Sequence, residues 1–269
     1  MARSGRWSAP AASMSSKWTG TLVNGGLTIE VAHAHPVVML TPHGVLDAYT
    51  AADLRAAMLD AVADQGAGVI VDVSDVTVGD DIGLAVLSSV GQENRRWPTV
   101  GLTLAGASTD FTTAGERIGI FSYVASCPDA ATAVAELEAV ELPPRRRISI
   151  PADRNAPSVA RAAVLDFCHE QVVTGSTEAA QLVASELVTN AVVHAGTPMQ
   201  LTLRLVSGLL HIAVRDTGDG QARIRGTVDE SAESGRGLVL VDALATSWGS
   251  FVPPFGKIVW ATLRVRTGL

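Results

Sequence analysis

The stretch "SELVTNAVVHA", residues 185–195, decides how the second half of the chain is read. Leu187, Val188, Ala191, Val192 and Val193 suit a buried helix. Glu186 and Asn190 nevertheless sit one turn apart among them, with His194 a further turn along. Asn is a poor helix-interior residue because its amide competes for backbone hydrogen bonds. A carboxylate in apolar surroundings must be paired, hydrated or functional. A solvated helix face is the plain alternative.

Downstream, "LLHIAVRD" (209–216) alternates as a strand, so Leu210, Ile212, Val214 and Asp216 share one face. That face is apolar, so Asp216 ends the strand pointing inward, immediately before "TGDG". An inward carboxylate followed by glycines can accept a hydrogen bond from the exocyclic amine of a purine. Gly218 and Gly220 let the backbone approach a flat ring. "SGRGLVLVDALA" then brings Gly235 and Gly237 to a helix start, where free N–H groups and the helix dipole favour phosphate. Residues 221–234 would serve as a lid. Taken singly, these signals are equally a hairpin turn and a flexible loop before a helix.

Working outward, the helix of the opening stretch spans roughly 177 to 195. It follows "SIPADRNAPSVARAAVLDFC", a short strand and a helix starting near Pro157. "MQLTLRLVSGLLHIAVRDTG" reads as two strands joined at Ser-Gly, and "KIVWATLRV" (257–265) as another. A helix layer on one face of an antiparallel or mixed sheet is expected. The first half alternates differently. "LTIEV" (27–31) and "VVML" (37–40) are strands, and Thr50 opens a helix with Asp53 completing a capping-box pattern. "GVIVDV" (68–73) is a continuous apolar strand of the doubly buried kind. A helix from about Gly83, a strand at 100–106 and a helix at 129–140 complete a small α/β domain. "ELPPRRRIS" (141–149) reads as a solvated linker between the halves. Residues 1–20 read as a disordered extension, 21–140 as the first domain and 150–269 as the second.

Ordered together, E-x-x-x-N-x-x-x-H on a helix, D-x-G-x-G after a strand and G-x-G-L opening a helix resemble the Bergerat-fold (GHKL) ATPases. Within that superfamily, residues 145–269 look most like the anti-sigma-factor serine kinases, through "SELVTNAVVHA", "VRDTGDG", "ESGRGLVLVDALATSWG" and "GKIVWATL". The resemblance implies ATP and Mg²⁺ as cofactors. It implies Asn190 on the metal, Glu186 as general base, and Asp216 on the adenine amine. Gly218 and Gly220 would line the base, and Gly235, Arg236 and Gly237 the phosphates. His194 lies about 80° round the helix from Glu186 and is given a structural or peripheral place. In the first half, "HGVLDAYTAADLRAAML" and "DVSDVTVGDDIGLAVL" resemble the STAS domain of anti-sigma-factor antagonists. Where that family carries Asp-Ser-Ser-Gly or Asp-Ser-Thr-Gly, this chain carries Asp80-Asp81-Ile82-Gly83, so Asp81 holds the phosphoacceptor position.

The resemblance implies a serine/threonine protein kinase acting on a STAS-type antagonist, with sequestration of a sigma factor and a dimer through the kinase domain. The alternative is an ATP-binding partner switch that does not phosphorylate. A histidine kinase is disfavoured, since no phosphoacceptor helix pair precedes the ATP domain. A net charge of −7 and a pI near 5.3 disfavour general nucleic-acid binding. Two cysteines, Cys127 and Cys168, suit a reducing cytosol, and no apolar run reaches membrane-span length, so a cytoplasmic protein is expected. "GSFVPPFGKI" (249–258) lacks the glycine spacing and hydroxyl of a P-loop.

Overall fold

The computed structural model describes residues 19–24, 26–34, 37–64, 68–96, 101–139, 142–217, 236–251 and 256–268. The chain divides into two units, Met1–Glu141 and Leu142–Leu269.

In the first unit, β1 (Thr19–Asn24), β2 (Leu27–Ala34) and β3 (Val37–Leu46) form an antiparallel meander. Beyond β3 the sheet becomes parallel through β4 (Gly68–Asp72), β6 (Gly101–Ala105) and β7 (Ala125–Cys127). β5 (Val76–Val78) pairs with the end of β3. Helices α1 (Ala51–Asp64), α2 (Asp81–Arg96), α3 (Thr109–Ile118) and α4 (Ala130–Glu138) connect them. "GVIVD" of β4 is buried except at Asp72, as a doubly covered parallel strand must be. Leu40, Leu54, Met58, Ile70, Leu84 and Leu104 are fully buried between sheet and helices.

In this unit β1, β5, β7 and α3 were not expected from the sequence. α3 begins at Ser108, whose hydroxyl accepts from Phe111 N–H at 3.2 Å, and ends at Gly119 in the left-handed region. β5 and β7 have three residues each, too few to show a period. The expected capping box at Thr50 takes another form. The Thr50 hydroxyl donates to the Val45 carbonyl and accepts from Asp47 N–H, and the Asp47 carboxylate caps Tyr49 and Thr50 instead.

The second unit stacks α5 (Ala156–Glu170), α6 (Thr177–His194) and α7 (Arg236–Leu244) with one five-stranded sheet, ordered β11-β12-β10-β9-β8. Its strands are β8 (Arg145–Ile150), β9 (Met199–Val206), β10 (Leu209–Asp216), β11 (Ser247–Phe251) and β12 (Lys257–Arg264). Every pairing among these strands is antiparallel, one of the two arrangements the sequence left open. The reason lies in the connections. β9 and β10 form a tight hairpin at Ser207 (φ 49°) and Gly208 (φ 75°), and a two-residue turn can join only antiparallel strands.

Residues 145–149 are corrected from linker to strand. In β8 the arginines alternate with the face that matters. Arg146, Ile148 and Ile150 lie opposite Leu203, Leu201 and Met199, which belong to the helix-covered core, and Arg146 pairs with Glu170 of α5. The three-arginine run masked a period of two. Thr19 and Gly20, expected in the disordered extension, open β1, and residues 1–18 lie outside the described residues. Among the described residues no helix is long and apolar enough to cross a membrane.

Candidate functional site

α6 is buried through Ala180, Val183, Ala184, Leu187, Val188 and Ala191, against α5 and β10. Ser185 is also buried, and its hydroxyl accepts from Arg161 of α5 at 2.8 Å, which fixes the rotation of α6. That rotation leaves Glu186 and Asn190 half-buried at the edge of the core. His194 and Val193 are exposed, so Val193 does not join the core as its position in the sequence had suggested. The answer to the polar stripe is geometric: it runs along the margin of the buried face, beside α7.

The contact that defines this margin is between Glu186 and Gly237. A Cβ built on Gly237 would collide with Glu186 Oε2 and lie 3.5 Å from its Cδ. Gly237 is the second residue of α7, so the carboxylate touches the helix start that was read as the phosphate cradle. Arg236 opens α7 in the structure, and its side chain, with Gly235, Gly218, Gly220 and the expected lid 221–234, lies outside the described residues.

Asp216 is 2% exposed at the end of β10, facing the helices as alternation required. Two further segments converge on it, and neither was singled out from the sequence. The Thr217 N–H donates to the Thr197 hydroxyl at 3.3 Å, and Thr197 follows α6 by three residues. Gly256, at φ +87°, lies so close that a Cβ there would run into the Asp216 carbonyl oxygen. Its signal was a glycine directly before the β12 strand, quoted in "GKIVWATL" and in the failed P-loop but given no role of its own. α6 therefore touches α7 through Glu186 and leads to the end of β10 through Thr197.

These residues suit a nucleotide with a hard cation. A buried carboxylate closes one strand end, and a glycine at a helix start leaves room against a half-buried acid. Among the described residues no group of three or more His, Cys, Asp or Glu side chains could hold a metal.

In the first unit, Asp80 and Asp81 behave differently. The Asp80 carboxylate accepts from Gly83 N–H at 2.7 Å and Ala48 N–H at 3.1 Å, capping α2 and tying two loops together. Those two bonds, Gly83 first, lower its pKa below the ordinary carboxylate value. Gly83 packs against the Asp47 and Leu46 backbone with no room for a side chain. Asp81 is the first residue of α2, exposed, and its carboxylate pairs with Arg117 of α3. Tyr49, 90% exposed in the loop before α1, and Ile82, 67% exposed in the first turn of α2, lie near this point. Both cysteines are buried thiols away from these sites, and the Cys127 thiol donates to Glu136.

Residues 28–133 match the family described as STAS domain, and residues 150–263 the family described as histidine kinase-like ATPase domain. The chain is a STAS domain joined to a histidine kinase-like ATPase domain. Among solved structures, an anti-sigma factor antagonist from Mycobacterium paratuberculosis is 22% identical, with 42% of this chain and 94% of that one covered and a TM-score of 0.36. The RsbU and RsbW domains of a Mycobacterium tuberculosis protein are also 22% identical, covering 45% of this chain and 32% of that one at a TM-score of 0.36. A blue-light activated histidine kinase domain from Erythrobacter litoralis is 18% identical over 68% of this chain and 93% of its own, at a TM-score of 0.29. No curated protein matches the chain. The ATPase domain carries Glu186, Asn190, Asp216 and Gly237, and the STAS domain carries Asp81 at the position read as the phosphoacceptor.

Proposed function

We propose that the chain is a serine/threonine protein kinase of the anti-sigma-factor type. Its ATPase domain would phosphorylate a STAS-type antagonist on a separate chain, and it would sequester a sigma factor when that antagonist is absent or phosphorylated. The observation that supports this most is the Glu186 carboxylate against Gly237 at the start of α7. A general base must stand within reach of the group it deprotonates, beside the phosphates, and this acid stands at the helix start that would hold them.

Bound Mg·ATP would supply the transferable phosphoryl group and neutralise its charge. The protein's own residues have the remaining tasks. Asp216 would select adenine by accepting from its amine. Asn190 would offer an oxygen ligand to the cation. Gly235, Arg236 and Gly237 would present α7's free N–H groups to the phosphates. Gly218 and Gly220 would line the base. Glu186 would take the proton from the attacking hydroxyl. A homodimer through the ATPase domain belongs to the same reading.

A second reading is a partner switch that binds ATP without phosphoryl transfer, and Asp81 is the observation that favours it. A carboxylate at the acceptor position cannot take phosphate as serine does, so the fused STAS domain is no substrate. Asp81 would then hold that domain in a fixed, partly phospho-like form.

The deciding experiment incubates the full chain with labelled Mg·ATP, as wild type, as Asp81→Ser, and as Asp81→Ser with Glu186→Ala. Label on the Asp81→Ser chain that disappears with Glu186→Ala supports the kinase. Bound ATP with no label on any chain, and none on added STAS-domain antagonists, refutes the kinase and leaves the non-catalytic switch.

A further inference from the structure

At the end of the ATPase domain remote from Asp216 lies an open cleft of about 450 Å³. β10 runs from Leu209 beside this cleft to Asp216, a separation of roughly 23 Å at the usual rise per strand residue. Arg264, Arg266, Thr174, Ser176 and Ser207 line it. We propose that the cleft binds a phosphate monoester dianion, at a site distinct from the nucleotide pocket.

The cleft is held from two sides. Past Arg264 the chain stays extended, with Val265 N–H donating to the Gly208 carbonyl at 2.9 Å. On its other edge Thr174 N–H donates to the Arg266 carbonyl at 2.7 Å, and Gly268 N–H to the Val172 carbonyl at 2.8 Å. Arg264 and Arg266, two apart on extended backbone, therefore project to the same side.

The chemistry of the lining points to one kind of ligand. Among the described residues neither guanidinium has an ion pair or a hydrogen bond, and none of the three hydroxyls has a side-chain hydrogen bond. Ser176 stands at the N-cap of α6 in the left-handed region, and its side chain makes no cap bond, so its hydroxyl is available to the cleft. Among the described residues no carboxylate lines the cleft, although the chain as a whole carries a net charge of −7. Two guanidinium forks match the oxygens of a phosphate, and hydroxyls donate to those that remain. A single carboxylate would satisfy only one of the two cations, so a dianion fits better. The volume lies in the range of small-molecule sites and accommodates the group that carries the phosphate. A phosphorylated side chain and a phosphorylated metabolite share this chemistry.

The test is calorimetry on the full chain with the nucleotide pocket saturated by a non-hydrolysable ATP analogue. The probes are inorganic phosphate, O-phosphoserine and a sugar phosphate. Wild type is expected to bind at least one of the monoesters. The R264Q/R266Q variant is expected to lose about tenfold or more in affinity, as removal of charge-assisted hydrogen bonds requires. A second variant, Ser207→Asp, places a carboxylate in the cleft at a backbone conformation Asp tolerates and should weaken binding similarly. Saturation of the nucleotide pocket by the analogue separates this site from the nucleotide reading. Preference for phosphoserine identifies a phosphorylated side chain as the source, and preference for the sugar phosphate a metabolite. Absence of binding to wild type, or equal affinity in wild type and R264Q/R266Q, overturns the proposal.

Discussion

Replacing Gly237 by Ala tests the arrangement of the ATPase site with a single methyl group. The Cβ would overlap Glu186 Oε2, and ordinary contact begins at 3.4 Å. The α7 backbone is held by its own helix, so the flexible carboxylate yields. It must retreat by about 1 Å, and a displacement of that size at a reacting group costs about 100-fold in turnover. Stability should not fall, since Ala is the better helix residue by up to about 1 kcal/mol. The assay pairs phosphate release from Mg·ATP with a fluorescent-nucleotide binding titration. Turnover should drop far more than affinity. The control is the same substitution on a Glu186→Ala background. There the obstructed carboxylate is gone, so adding Gly237→Ala should change turnover by less than about twofold, a strong departure from additivity. Wild-type turnover in the Gly237→Ala single variant would refute the placement of Glu186 against the phosphate-binding helix start.

Asp216→Asn should weaken ATP binding by roughly 1.5–3 kcal/mol, the range for a hydrogen bond to a charged group, which is about ten- to 150-fold; unchanged affinity in the titration removes Asp216 from the adenine pocket. His211 is buried opposite Arg204 on β9 and Thr262 on β12, and its Nδ1 lies 2.9 Å from the Thr262 hydroxyl. Burial first, then the Arg204 charge, pushes its pKa down to about 4. The unfolded chain therefore binds the extra proton between its own value near 6.5 and about 4, so this stabilisation is complete above pH ~6.5 and is lost as pH falls through that window, by at most ~3 kcal/mol. Denaturation midpoints across the window should slope less in His211→Asn than in wild type. Ser108→Ala removes the cap that accepts from Phe111 N–H and should cost the STAS domain about 1 kcal/mol, measured by denaturant unfolding.

The parts of the fold that were legible in the sequence are those where one physical signal acts alone. The β4 run "GVIVD" is buried on both faces and has no charge to confuse it until its end. Asp216 could be aimed inward because Leu210, Ile212 and Val214 fix the phase of β10. The unread parts carry two signals that conflict. In β8 three arginines outweighed Ile148 and Ile150, although long side chains lie easily along a sheet face with their charges in solvent. Val193 carries an apolar side chain on the wrong side of α6, and only the packing of Ser185 against Arg161 reveals the rotation. The parts that Thr197 and Gly256 play beside Asp216 were invisible for a different reason. Each matters only because its segment returns to Asp216 from a distant part of the chain.

The STAS loop shows how much charge a single carboxylate at the acceptor position can present. Asp80 is committed to two backbone N–H groups, and on the proposed reading Asp81 stands at the acceptor position. Its one negative charge is met by Arg117, leaving the pair close to neutral. A phosphoserine at the same place would bring about −1.5 to −2 charges, so one arginine would leave it distinctly anionic. On the proposed reading, then, Asp81 imitates phosphate in position more than in charge, and Arg117 decides how much of the imitation a partner can sense. The exposed pair makes little difference to folding, since such bridges contribute about 0–1 kcal/mol. A role for Arg117 is therefore to be sought in recognition at the Tyr49 and Ile82 surface, and not in the stability of the domain that carries it.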